Sequence, residues 1–191
     1  MPIATIDLLE GYGPDVKSRL GLAVTLAIGG VIDAPPEAIT VILRDMPHQN
    51  YFRAGTPRQP APALPDGAEV VRAYLAAMEA RDLPAARAHL APGFTMTFPG
   101  GVTMTALEDL IAWAAPRYRF VTKTYDRFDA MGGVAYCFGT LSGEWPDGTA
   151  FQGIRFIDRF ELSDGLITRQ DVWNDMGEVR GGEARGGEVR G

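Results

Sequence analysis

A domain boundary is predicted at residues 53–67, Arg-Ala-Gly-Thr-Pro-Arg-Gln-Pro-Ala-Pro-Ala-Leu-Pro-Asp-Gly. Four prolines and no hydrophobic period predict an extended, semi-rigid spacer there. The chain of 191 residues is thereby cut into a short segment, 1–52, and a longer one, 68–176. The short segment cannot bury enough of its own surface to stand alone and should associate. The longer one, at about 110 residues, can hold its own core. The remainder, 177–191, repeats Gly-Gly-Glu-(Ala/Val)-Arg with almost no apolar content and is expected to be disordered.

The short segment opens with an apolar, β-branched run from Pro2 that reads as a strand, ending at Leu8-Leu9-Glu10-Gly11. A helix is predicted from Pro14, well placed in a first turn, to Ile32. Val16, Leu20, Val24, Ala27, Ile28 and Val31 form its apolar stripe, and Asp33-Ala34-Pro35-Pro36 stops it. Ile39-Thr40-Val41-Ile42-Leu43 is a second strand. If Met1 is removed, Pro2 becomes a terminal secondary amine. An unperturbed α-amino group titrates at about 7.7–8.0. An apolar pocket or a nearby cation lowers that value towards the working pH of a general base.

Pro2, the Leu-Glu-Gly strand end, Asp-Ala-Pro after the helix and a hydrophobic second strand ending at Met46 occur in an order that resembles the small tautomerases of the 4-oxalocrotonate type. The resemblance implies a β-α-β unit with Pro2 as acid/base. It also implies sheets paired into dimers, dimers assembled into hexamers, and Pro2 pockets at subunit contacts. The family's paired substrate-binding arginines would fall at Tyr12 and Thr40, so both are missing, while its aromatic wall residue is kept as Tyr51, preceded by Asn50. Arg44 lies on the same strand face as Thr40 by the period of two. Arg44 and Arg53 are either replacement cations or solvated surface charges.

The longer segment opens with a helix over 68–81, buried through Val71, Tyr74, Leu75 and Met78. A short helix follows at 84–90, then a strand marked by Phe94, Met96 and Phe98, and a helix over 106–115. Strands are predicted at 117–130, 133–143, 149–162 and 165–174, with Gly132-Gly133 and Pro146-Asp147-Gly148 as turns. Helices followed by a long antiparallel meander make an α+β cone, helices packed on a curved, mainly antiparallel sheet around a pocket.

Val70-Val71-Arg72-Ala73-Tyr74-Leu75-Ala76-Ala77-Met78, the Arg81-Asp82-Leu83 corner, Ile157-Asp158-Arg159-Phe160 and Asp164-Gly165-Leu166-Ile167 resemble the nuclear-transport-factor-two-like superfamily. That superfamily includes ketosteroid isomerase and the SnoaL-type polyketide cyclases, and its fold hosts many reactions. On the strand 151–162, Asp158 stands alone among Ile154, Phe156, Phe160 and Leu162. Burial without a cation would raise its pKa and keep it a neutral hydrogen-bond donor. The resemblance places Tyr74 and Asp158 on the oxyanion-stabilising tyrosine and aspartic acid of ketosteroid isomerase, a known case of such a neutral acid. Read from the residues alone, Tyr74 is equally a core tyrosine and Asp158 the partner of an arginine. The catalytic base of that enzyme falls at Phe98, which cannot abstract a proton. Gln170 and Asn174 face the same pocket from the last strand, with Asp171 and Trp173 on the other face. Trp145, beside a turn, is expected at an interface or rim.

The formal charge of −6 and the absence of a Lys/Arg cluster argue against nucleic acid and membrane partners. The longest uncharged run, Leu20 to Ile32, is short of the roughly 20 residues that span a bilayer. One cysteine, Cys137, suits a reducing cytoplasm. With His48 and His89 the only histidines, a zinc site is not expected, nor is any cofactor. The leading expectation is a tautomerase that uses Pro2 on a small enolisable carbonyl compound, with the second domain binding or converting the same or next intermediate. Two alternatives stand beside it. In one the second domain is the enzyme, a cyclase, dehydratase or isomerase, and the first an oligomerisation scaffold. In the other the chain is a non-catalytic, oligomeric small-molecule binder.

Overall fold

A computed structural model describes residues 1–180 of the chain, which divides into two compact units, Met1–Leu64 and Pro65–Gly191. In the first unit, β1 (Ile3–Leu9) and β2 (Thr40–Met46) pair in parallel, from Ile3↔Thr40 to Leu9↔Met46. Parallel strands need a crossover connection, and α1 (Pro14–Gly29) supplies it. Ala4, Ile6, Leu8, Val41 and Leu43 are half-buried, while Ile3, Thr5, Asp7, Ile42 and Arg44 on the opposite sheet face are exposed.

Helix α1 ends earlier than its apolar pattern suggests. Gly29 and Gly30 stop it, with the Gly30 amide donating to the Leu26 carbonyl, so Val31 falls outside the helix and is exposed. Val16, Leu20, Val24 and Ile28 keep the expected half-buried positions, but Ala27 is exposed. The spacer also begins later than expected. Phe52–Arg53 (β3) and Thr56–Pro57 (β4) form a small hairpin. Its turn, Ala54-Gly55, has φ of 51° and 75°, the left-handed pair that a two-residue hairpin loop requires. Among the described residues of this unit none is buried, and Leu22, Leu26, Ile42 and Phe52 are exposed apolar side chains.

The second unit begins with α2 (Gly67–Glu79), capped by Asp66 Oδ1 accepting from the Ala68 amide at 2.9 Å. α3 (Leu83–Arg87) is capped in the same way by Asp82 on the Ala85 amide at 3.0 Å. β5 (Leu90–Phe98), β6 (Val102–Met104) and α4 (Leu107–Ala114) follow. The long meander is β7 (Phe120–Met131), β8 (Val134–Glu144), β9 (Ala150–Ser163) and β10 (Leu166–Asn174). One six-stranded sheet results, in the order β6-β5-β10-β9-β8-β7, antiparallel except where β10 meets β5. Asp164-Gly165 closes the β9–β10 hairpin, with φ of 51° and 79°.

Register shifts bend this sheet, one of them in β10 between Ile167 and Arg169. The β7–β8 register shifts between Tyr125 and Arg127, opposite Gly139, where a Cβ would overlap the Thr124 carbonyl. In β9, Gly153 takes a φ of 72°, and the register with β8 shifts between Leu141 and Gly143. Phe151 and Ile154 thus both become buried although they are three residues apart. Bulges of this kind increase local twist and curvature. Helix α2 packs on β7, β8 and β10, so Val71, Tyr74 and Leu75 share one core with Phe94, Met96, Cys137, Phe156 and Phe160.

The expectation of disorder from Gly177 onwards starts too early. Residues 176–180 form a helical turn after β10, and Met176 and Val179 pack against the core. The rest of the predicted disordered tail, 181–191, lies outside the described residues. Among the described residues no helix is long and apolar enough to cross a membrane.

Candidate functional site

Pro2 immediately precedes β1, and its carbonyl accepts from the Thr40 amide at 3.1 Å, which anchors it beside the start of β2. Thr40, where the resemblance would put an arginine, is therefore its neighbour. Arg44 faces Asp7 in the register, four residues further along β2, or roughly 13 Å at strand spacing. It is exposed and out of reach of Pro2 in the same chain. Asn50 closes a 3₁₀ turn and is exposed, and Tyr51 after it is half-buried. Tyr12 donates to the Ala61 carbonyl at 2.8 Å.

The second unit holds a hydrogen-bonded chain inside the sheet. Tyr74 Oη donates to Gln170 Oε1 at 3.1 Å, and Gln170 Nε2 donates to Asp158 Oδ2 at 3.3 Å. Lys123 Nζ also donates to Asp158 Oδ2 as an ion pair and lies 4.5 Å from the centroid of the Phe156 ring. The expected lone carboxyl is thus corrected: Asp158 is fully buried, but Lys123 is its cation, and the premise for a neutral acid fails. Nor is the partner an arginine. Tyr74, 1% exposed, has its hydroxyl committed to Gln170.

A cavity of about 280 Å³ opens beside this chain. Trp113, Trp145 and Phe156 are among its walls, with Lys123 and Asp158, and Phe98 also lines it. Phe98 meets Trp113 edge-on at 5.3 Å. Asn174 lines the cavity too, while its Oδ1 accepts from the Met176 amide at 3.2 Å and so helps to start the helical turn over 176–180. Gln170 and Tyr74 line a second cavity of about 150 Å³, and Lys123, Phe98, Tyr118 and Val121 border both. Asp171 is held by Arg159 and Arg169, and Trp173 is exposed. Trp145 is not a rim residue: it is 3% exposed and packs on Phe151 with ring centroids 4.4 Å apart.

Sequence reasoning missed Lys123, Trp113, Arg117 and Arg180 as cavity residues. Lys123 had a legible signal, since it is in phase with Val121 and Tyr125 on β7 and half-buried like them.

Burial dominates the electrostatics around this chain. It pushes the Cys137 thiol up from its ordinary 9.0 to about 12, with the Asp158 charge adding to the effect. It raises the Tyr74 phenol, again with Asp158, and the Tyr125 phenol, there with Cys137 and Asp158. All three are acids whose folded values lie above their unfolded ones. Their contribution is complete below the unfolded values and is lost as pH rises through the folded ones. Denaturant unfolding followed by tryptophan fluorescence should therefore show lower stability at about pH 11 than at about pH 8, the loss beginning near pH 9. Equal stability at the two would contradict this burial.

Comparison with known proteins places both units. The profile described as tautomerase enzyme matches residues 2–58, and that described as SnoaL-like domain matches residues 71–170. A probable tautomerase of Streptococcus pyogenes is 39% identical over 59 residues, 31% of this chain and 97% of that protein. One of Streptococcus mutans is 42% identical over 55 residues, 29% of this chain and 90% of its own. A nuclear-transport-factor-two-like protein of unknown function from Burkholderia pseudomallei superposes with a TM-score of 0.55 at 21% identity, covering 61% of this chain and 95% of that one. Another such protein, from Burkholderia thailandensis, gives 0.54 at 19% identity, covering 62% and 97%. These two structural likenesses concern the fold. With the tautomerase match beginning at Pro2 and the SnoaL-like match spanning the cone, the chain belongs to the tautomerase family in its first unit and to the SnoaL-like family in its second, an enzyme of isomerase type.

Proposed function

We propose that the chain catalyses keto–enol tautomerisation of a small enolisable carbonyl compound, with Pro2, freed of Met1, as acid/base. The observation that carries this reading is the tautomerase match starting at Pro2, at the head of a strand and tied to β2 through Thr40. As a free secondary amine, Pro2 takes the enol hydroxyl proton and returns a proton to carbon, and the enol becomes the ketone. General acid–base transfer of this kind is most effective when the amine titrates near the working pH. Homo-oligomerisation belongs to the proposal: the exposed side chains Ile3, Ile42, Leu22 and Leu26 are where further copies would pack, dimers first and hexamers from them, walling Pro2 with neighbouring side chains. The second unit binds or converts the same or the next intermediate.

One observation favours a second reading, in which the cone is the enzyme and the first unit a scaffold. Tyr12 and Thr40 replace the expected arginine pair, while the cone has a formed cavity with a buried ion pair. The two readings separate in one assay. Ketonisation of phenylenolpyruvate and of 2-hydroxymuconate should be measurable, the monocarboxylate turning over faster because the dicarboxylate clamp is missing. Intact mass should show one methionine fewer than the full chain. Retention of Met1, which leaves Pro2 an amide nitrogen, ends the Pro2 reading. Turnover undiminished in a chain that keeps Met1 transfers the activity to the cone.

A further inference from the structure

The chain as a whole is acidic, with a formal charge of −6, yet the cavity walled by Trp113 and Trp145 is lined by Arg117, Lys123 and Arg180 against the single carboxylate of Asp158. Among the described residues neither Arg117 nor Arg180 forms an ion pair. Instead their guanidinium carbons lie 3.9 Å from the Trp113 ring centroid and 5.3 Å from the Trp145 one. Lys123 Nζ carries three donors, of which Asp158 takes one. The indole Nε1 atoms of Trp113 and Trp145 are buried without an acceptor among the described residues, and Asp158 Oδ1 is buried without a donor. A cavity with aromatic walls, surplus cations and the remaining Lys123 donors is complementary to an aromatic ring bearing an anionic oxygen.

Size narrows the class. A cavity of about 150 Å³ accommodates benzene, and drug-sized ligands occupy roughly 300–1,000 Å³. At about 280 Å³ the present cavity fits one ring with a short acidic chain. We propose that the cone is a binding site for single-ring aromatic anions, the ring against Trp113, Trp145 and Phe156 and the anionic oxygens at Lys123 and the rim arginines. This deepens the reading of the second unit as a ligand pocket and rests on it, but it is independent of Pro2.

Two of the three tryptophans line the cavity, so the full chain reports its own binding through fluorescence quenching. Three probes share one ring and chain length and none can enolise: 3-phenylpropanoate, 3-phenyl-1-propanol and 3-phenylpropylammonium. The anion should quench saturably, with affinity roughly tenfold or more above the alcohol, the scale of one charged hydrogen bond. The ammonium should bind weakest. Arg117→Gln should reduce the preference for the anion, and Lys123→Met/Asp158→Leu, which avoids leaving a buried carboxylate alone, should also reduce it through loss of the Lys123 donors while both arginines stay. An alcohol that binds as tightly as the anion overturns the charge selection while leaving a pocket. Failure of all three probes overturns both. An anion preference undiminished by the double replacement overturns the role of Lys123.

Discussion

Replacing Pro2 with alanine is expected to lower ketonisation of phenylenolpyruvate by about 10²-fold or more, the lower end of what a positioned acid/base contributes. The alanine variant also loses Met1 readily and still presents an α-amine, so the comparison isolates the proline nitrogen rather than the presence of any base. A primary amine on a more mobile residue holds its lone pair less firmly at the reacting carbon, and kcat should fall while KM changes little. Equal rates in the variant and the parent would remove Pro2 from the mechanism.

The second large effect concerns stability. Lys123→Met should destabilise the second unit by about 3–5 kcal/mol, because it strands a fully buried carboxylate. At roughly 4–8 °C per kcal/mol for a domain of this size, its melting transition should drop by about 12 °C or more. Lys123→Met/Asp158→Leu should recover most of that loss, since a buried ion pair exchanged for apolar groups is often neutral. Gln170 then keeps its bond with Tyr74. A single variant that melts with the parent would show the carboxylate to be served by other groups, and a double variant no better than the single would deny the pairing.

Much of the fold was legible because its signals are local. The alternation Ile154, Phe156, Asp158, Phe160 fixed the buried face of β9, and Gly132-Gly133 marked a two-residue hairpin with positive φ. The apolar period of helix α1 continues to Val31, whereas two consecutive glycines end the helix sooner. The hairpin at residues 52–57 was lost inside the proline-rich stretch, since two-residue strands have no period to detect. The candidate site was harder to read. Asp158 was found as a polar break in an apolar face, but its partner lies 35 residues earlier on β7, with β8 between their strands. Such a pairing depends on sheet order and curvature, and neither is written in the spacing of either residue. Arg117 and Arg180 enter the same cavity from outside the strands, where no periodicity reports direction.

The first unit has no buried residue of its own among those described. If its apolar faces are covered by other copies of the chain, its folding free energy is a mass-action quantity, gaining about 1.4 kcal/mol per tenfold rise in protein for each association step. The cone, with its self-contained core, has no such dependence. Dilution would then dissolve one half of the polypeptide while the other stays folded, and Pro2 would operate as a sensor of how much of the protein is present.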